Sequence, residues 1–168
     1  YQYQNDDNRN YSYYKRVFVG ALRAVDFITS LPQYNGKALG VTGSSQGGAL
    51  SMVTAALDKR VTFYAAIHPA MCDHRAHLQK VAGGWPHYFY YFPTPTPQRI
   101  QTADYYDMVN FARRITVPGW FSWGYNDDVC PPTSTYAAYN SITAPKELHP
   151  YLETGHYWYQ EQYEQWSQ

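Results

Sequence analysis

Residues 37–48 read KALGVTGSSQGG, a sequence that predicts a strand running directly into a helix. Its first part is a short apolar run over 37–43 that favours a buried strand. A helical pattern follows at once and continues over 46–58. Where the strand gives way to the helix, residues 43–47 read GSSQG, which has the form G-x-S-x-G. A tight strand-to-helix turn of this form lifts its central serine above the edge of a sheet.

The central serine of this turn is Ser45, and it is the candidate nucleophile of the chain. We expect the flanking Gly43 and Gly47 to be required because a side chain at either would collide with the neighbouring strand or helix. The alternative interpretation is a glycine-rich turn that carries an idle serine. The predicted strand and helix on either side favour the catalytic interpretation.

The rest of the chain alternates helical patterns with short segments that are typical of strands. Apolar residues recur at three- and four-residue intervals from Val17 to Leu31, including Val19, which predicts a helix that buries one apolar side and ends before Pro32. The remaining predicted strands and helices follow in alternation: strands over 61–67, 118–124 and 147–153, and helices over 104–114, 131–142 and 157–168. This alternation indicates an α/β domain whose doubly wound, mostly parallel sheet is covered on both faces.

Two segments lack a regular pattern. Residues 1–10 are mostly Gln, Asn, Asp, Arg and Tyr and start with Tyr rather than Met, so we expect them to be the irregular start of a fragment. Residues 70–103 combine Gly, Pro and many aromatic residues. That composition predicts an insert of short helices and loop.

Charge and composition exclude several classes of protein. Lys plus Arg and Asp plus Glu both number 13, and a net charge of zero argues against a nucleic-acid binder. No apolar stretch approaches the roughly 18 to 20 residues of a membrane span, and no signal peptide is visible, so the compartment stays open. Cys72 and Cys130 form neither a disulfide framework nor a metal-ligand pair. The aromatic content of 18%, mostly Tyr, suits a polar cleft, a subunit interface or a sugar-binding surface.

A serine nucleophile needs a base, and polar residues that could serve follow two of the predicted strands. Asp127 and Asp128 come after the strand over 118–124, and His156 comes after the last strand. The carboxyl ends of parallel strands share one rim, so we expect these side chains on the same rim as Ser45. The chain order Ser, Asp, His is the one used with this kind of turn. Only one of the two adjacent aspartates is expected to face His156.

The other histidines fit the role of base less well. His68 ends a strand but precedes the acid in the chain, and His149 lies inside a strand. The remaining three lie in the irregular insert, at His74, His77 and His87.

Several of these motifs together resemble the acetyl xylan esterase and cephalosporin C deacetylase family. The block D-x-[IV]-C-P-P followed by A-A-Y-N is far more specific than G-x-S-x-G. The resemblance runs over most of the chain and rests on GSSQGG at 43–48, DDVCPP at 127–132, YAAYN at 136–140 and PKE at 145–147, with 13–26 and YYDMVNFA at 105–112.

The resemblance implies a serine carboxylesterase of the α/β-hydrolase fold, with residues 1–168 as the carboxyl-terminal half of its single domain. Such an enzyme removes O-acetyl groups from acetylated xylan, xylo-oligosaccharides and similar small acetyl esters. It makes Ser45 the nucleophile, His156 the general base and acid, and Asp127 the group that orients the base. The backbone N–H of Gln46 becomes one oxyanion donor. No cofactor or metal is implied; the implied partners are an acetylated carbohydrate or small acetyl ester and further copies in a homo-oligomer, a hexamer.

Two departures from the family stand out. Tyr157 occupies a position where the family usually has Glu, and WPHYFYYFPTPTP at 85–97 differs from the usual insert. The family's second oxyanion donor comes from a loop well before the turn, and no residue here is assigned to it, so we expect the isolated chain to be poorly active. Two rivals stay open: a peptidase or thioesterase of the same fold, and a non-catalytic carbohydrate-binding fragment.

Overall fold

The computed structural model describes residues 2–167, the side chain at position 166 excepted. One parallel sheet has the strand order β1-β2-β3-β4. Its strands lie where the sequence predicts them, to within about three residues at either end: β1 (Gly40–Ser44), β2 (Phe63–Ile67), β3 (Gly119–Gly124) and β4 (Lys146–Tyr151). Ser44 is paired with Ile67, and Gly124 with Tyr151, so the carboxyl ends of all strands lie along one rim.

Helices precede, connect and follow these strands. They are α1 (Tyr13–Ser30), α2 (Gln46–Leu57), α3 (Tyr88–Tyr91), α4 (Pro97–Tyr105), α5 (Met108–Ala112), α6 (Pro132–Asn140) and α7 (Gln160–Ser167), with a 3₁₀ turn at Ala76–Gln79. Among residues 2–167, no helix is both long enough and apolar enough to cross a membrane.

One face of the sheet carries most of the helices. Each strand lies next to the one that precedes it in the chain, and the order always advances across the sheet in the same sense. Right-handed crossovers therefore place all the connecting helices on the same side. Helix α2 packs on β1 and β2 and against α5. Phe121 and Trp123 of β3 meet Tyr139 and Tyr136 of α6 edge to face. The core therefore lies between the sheet and this helical layer.

The opposite face carries α7 and is more open. Ser122 points away from its neighbour Phe121 in the pleat, and its hydroxyl accepts a hydrogen bond of 2.6 Å from the buried amide of Gln162 in α7. On this same face Phe63 is 48% exposed. Helices thus lie on both faces of the sheet, as predicted, but they cover the two faces unequally.

Helix α1 buries an aromatic stripe that the periodicity does not identify. The hydroxyl of Ser12 caps its first turn by accepting the N–H of Tyr14 at 3.4 Å. Tyr14, Phe18 and Val25 are its buried residues. Val19, predicted on the inner side, is exposed. The predicted face is wrong in part because this helix is apolar on more than one side.

Two helices, α4 and α5, replace the single helix predicted over 104–114. Asp107 lies between them and caps α5 by accepting the N–H of Val109 at 2.9 Å. The same carboxylate accepts the N–H groups of Asp73 and His74, at 3.1 and 2.7 Å. The helix breaks here because a side chain that caps the next turn must lie outside the helix it precedes.

Candidate active site

The turn between β1 and α2 is held in a strained conformation. Ser45 has φ of 55° and ψ of −120°, a backbone conformation that residues other than glycine rarely adopt. Its N–H donates to the carbonyl of Ile67 at 2.9 Å, and its own carbonyl accepts the N–H of Ala70 at 3.0 Å. These bonds to the end of β2 fix the strained residue at the rim of the sheet.

Only one of the two flanking glycines is required for clearance. A Cβ on Gly43 would overlap the backbone of Gly47 as the chain reverses into α2. A Cβ on Gly47 would meet nothing within 4 Å among the described residues. The expectation that both glycines avoid a collision is therefore wrong for Gly47.

Ser45, His156 and Asp127 meet at the rim. The Oγ of Ser45 lies 2.9 Å from Nε2 of His156, and Nδ1 of the same ring lies 2.8 Å from Oδ2 of Asp127. With the carboxylate as acceptor, Nδ1 carries the proton and Nε2 is free to accept one from the hydroxyl. The three residues are far apart in the chain, and the ends of β1, β3 and β4 bring them together.

The carboxylate of Asp127 is fully buried and held by its own loop. Its Oδ1 accepts the N–H groups of Val129 at 2.9 Å and Cys130 at 2.7 Å, which leaves Oδ2 for His156. Asp128 is exposed. Of the two adjacent aspartates, Asp127 is therefore the one that faces the imidazole.

The loops after β3 and β4 lock together and place His156. The N–H of Asn126 donates to the carbonyl of Thr154 at 3.0 Å, and its side-chain amide donates to the carbonyl of Leu152 at 3.1 Å. A side chain at Gly124 would overlap Thr154, so the glycine permits the close approach. The two residues after Thr154 then bring the imidazole beside Ser45.

The aromatic insert also supports the acid loop. The N–H of Trp85 donates to the carbonyl of Val129 at 2.9 Å, and the carbonyl of Trp85 accepts the N–H of Met71 at 2.7 Å. One insert residue thus bridges the loop after β2 and the loop that carries Asp127. The sequence alone gives no sign of this bridge.

Gln46 is the first residue of α2. The N–H groups in the first turn of a helix have no partner within that helix, and the helix dipole makes this end positive. The Gln46 N–H therefore lies beside Ser45 where an anionic oxygen can be held.

The buried thiols do not compete with Ser45 as nucleophiles. Burial, followed by the charge of nearby Asp127, raises the pKa of Cys130 well above its usual value. Burial likewise raises the pKa of Cys72. Since the thiolate is the reactive form, both cysteines stay protonated and inert near neutral pH.

His68 fits the role of base less well by its place in the chain, yet its side chain lies beside His156. The two ring centroids are 4.4 Å apart, and His68 is 2% exposed. The signal in the sequence was its place at the carboxyl end of the strand next to β1. Two further histidines make their contacts elsewhere: His149 stacks on Trp120, and His74 meets Tyr88 in the insert.

His68, Asp127 and His156 present donor atoms that all lie within 4.8 Å of one another, a set that could hold a metal ion. Both nitrogens of His156 are already engaged, one with Ser45 and one with Asp127. A metal on His156 would have to displace one of these hydrogen bonds. Metal binding and the serine arrangement are therefore mutually exclusive uses of this ring.

Comparison with known proteins identifies the family. A sequence profile of the acetyl xylan esterase family (AXE1) matches residues 4–167. The acetyl esterase Axe7A of Xylanibacter ruminicola is 55% identical to this chain over 142 residues, which is 84% of this chain and 32% of that protein.

Solved esterases share the fold. The acetyl xylan esterase from Paenibacillus sp. R4 superposes with a TM-score of 0.87 at 29% identity, over 96% of this chain and 54% of that one. Acetyl xylan esterase 1 from Thermoanaerobacterium sp. JW/SL YS485 gives 0.84 at 28% identity with the same coverage of 96% and 54%. These neighbours confirm the predicted α/β-hydrolase fold, of which the chain spans a part. Because the family profile matches nearly the whole length of this chain, the chain belongs to the acetyl xylan esterase (AXE1) family.

Proposed function

We propose that this chain carries the catalytic residues of an esterase that removes acetyl groups from acetylated xylan, xylo-oligosaccharides and similar small acetyl esters. The observation that carries the proposal is the hydrogen-bonded series Ser45–His156–Asp127 at the carboxyl rim of the sheet. A hydroxyl is a weak nucleophile until an adjacent base takes its proton, and this geometry supplies the base and the group that orients it.

In the proposed reaction, the Oγ of Ser45 bonds to the carbonyl carbon of the acetyl ester as its proton passes to Nε2 of His156. The oxyanion that forms accepts a hydrogen bond from the Gln46 N–H. When the intermediate collapses, the bond to the sugar oxygen breaks and that oxygen takes the proton from His156. Water, deprotonated by His156, then attacks acetyl-Ser45 and releases acetate, and the proton returns to Ser45.

The choice of an acetylated sugar is supported by the relatives and by the site's surroundings. The 55% identical relative is named an acetyl esterase, and the structural neighbours are named acetyl xylan esterases. Tyr157, directly after His156, is 50% exposed. An exposed aromatic ring with a polar tip suits contact with a sugar. These observations favour an esterase over a peptidase or thioesterase of the same fold.

The decisive experiment measures acetate release from acetylated xylo-oligosaccharides by the whole protein that contains this chain. We expect turnover in the wild type and a loss of at least about 10⁴-fold in Ser45→Ala, because the nucleophile is removed. A peptide anilide, run in parallel, should not be cleaved. Sugar binding without turnover, unchanged in Ser45→Ala, would instead identify a carbohydrate-binding protein.

A further inference from the structure

The segment that follows β2 holds the strained turn and presents a second histidine to the site. Ile67 and Ala70 bind the two backbone groups of Ser45, and His68 lies between them. The backbone of His68 has φ of 31°, a positive value that residues other than glycine rarely adopt. Its N–H donates to the carbonyl of Ser122 at 2.7 Å. Backbone strain of this kind persists only where the surrounding structure imposes it, and it clusters at functional sites.

The contact between the two imidazoles supports the ring of His156 where its hydrogen bonds do not. Ser45 and Asp127 hold His156 through its two nitrogens, at the edge of the ring. Rotation about the bond between Cβ and the ring would swing both nitrogens out of line with these partners. The ring of His68, with 4.4 Å between centroids and 45° between ring planes, lies beside that of His156 and limits rotation towards it.

His68 is neutral in this position. Burial, followed by the nearby His156, lowers the pKa of His68 to about 4. Its buried Nδ1 has no hydrogen-bond partner among the described residues. The residue therefore supplies a flat, uncharged surface beside the imidazole, and it does not oppose the positive charge that His156 acquires during the proposed reaction.

We propose that His68 is a positioning residue that packs against the face of His156 and keeps its ring aligned with both Ser45 and Asp127. The proposal rests on the function proposed above, because it gives His68 its role through the proposed base. It assigns the role to the shape of the His68 ring and not to its nitrogens. A phenylalanine should then replace it, whereas a residue without a ring should not.

The kinetic test compares His68→Ala and His68→Phe in the whole protein, with an acetylated xylo-oligosaccharide as substrate. We expect His68→Ala to lose about 10- to 100-fold in kcat with little change in KM, because a misaligned base slows chemistry without weakening substrate binding. His68→Phe should keep kcat within about threefold of the wild type, as expected if only the ring face matters. Equal kcat in His68→Ala and wild type, or equal impairment of both variants, would overturn the proposal.

A spectroscopic readout separates positioning from loss of folding and does not depend on substrate. The Nδ1 proton of His156, shared with Asp127, should give a strongly downfield proton resonance in the wild type and in His68→Phe. In His68→Ala that resonance should be lost by exchange while the thermal unfolding midpoint still shows a folded protein. A resonance that persists unchanged in folded His68→Ala would contradict the proposal. Absence of ester hydrolysis by a wild type that shows the resonance would instead contradict the proposed function alone.

Discussion

At the scale of single residues, we expect replacements of the two adjacent aspartates to differ sharply in their effect on kcat. Asp127→Asn should lower kcat by about 10⁴-fold with a small effect on KM, because an amide stabilises the wrong imidazole tautomer. Asp128→Asn is the matched control, since Asp128 is exposed and Asp127 is buried against His156. Steady-state kinetics on an acetyl ester checks both variants. Comparable losses in the two would show that the acid is misassigned.

The buried His68 makes stability depend on pH in a defined direction. Its pKa is lowered from 6.5 to about 4 in the folded protein, so between these values the unfolded chain binds a proton that the folded one does not. The contribution of neutral His68 to the free energy of unfolding should therefore be fully present above about pH 6.5. It should fall as the pH drops towards 4, by about 3 kcal/mol in total.

Urea unfolding at several pH values measures this effect, and His68→Phe provides the comparison. The variant lacks the titrating group but keeps a ring, so its stability should fall less steeply between pH 6.5 and 4. Other buried histidines, such as His74, contribute equally to both proteins and cancel in the difference. Parallel curves for the two proteins would contradict the assignment of the effect to His68.

The glycines of the turn give a second matched pair. Gly43→Ala should lower both stability and kcat, because its Cβ would overlap the backbone of Gly47 and push α2 away from β1. Gly47→Ala should be neutral or raise stability by up to about 1 kcal/mol, since it lies within α2 in open space and alanine is the better helix former. Unfolding midpoints rank the two, and the reverse order would contradict this account of the turn.

At the scale of elements, Asp107 connects the break between α4 and α5 to the insert. Removing its carboxylate in Asp107→Ala leaves one helix uncapped and two further backbone N–H groups without an acceptor, which should cost about 2 to 4 kcal/mol. Asp104→Ala removes a partly exposed ion pair with Arg75 and should cost less than about 1 kcal/mol. Equal losses in urea unfolding would show that Asp107 does not hold the insert.

Elements differ in how much of them the sequence could predict. The ends of each predicted strand lie within about three residues of those observed. Strands β2 and β3 are rich in apolar residues, as a buried strand requires, whereas β4 reads KELHPY. The cap that Asp107 forms on α5 is local, but the bonds from Asp73 and His74 that fix its carboxylate come from a distant part of the chain and could not be predicted. The serine, the histidine and the acid follow from a motif and from strand ends. His68 also ends a strand, but it precedes the acid in the chain, and that order does not predict its contact with the ring of His156.

At the scale of the whole molecule, the chain spans 54% of each solved esterase described above. The described site offers one assigned oxyanion donor, the N–H of Gln46. Loss of one such donor typically costs about 100- to 1,000-fold in rate. We therefore expect the 168-residue chain alone to hydrolyse an acetyl ester at least about 100-fold more slowly than the whole protein, in a direct comparison of kcat. Equal rates would show that the second donor lies within this chain.

The unpaired edge of the sheet and its more open face have a further consequence for the chain in isolation. Strand β1 is the first strand of the described sheet, and its outward side has no neighbouring strand among residues 2–167. Unpaired main-chain groups along a strand can form hydrogen bonds with strands of other molecules, and the half-exposed Phe63 adds an apolar contact surface beside them. The isolated chain should therefore aggregate edge to edge at high concentration, which turbidity measures. Thr42→Lys, which places a charge at an exposed position of this edge strand, should lower that turbidity.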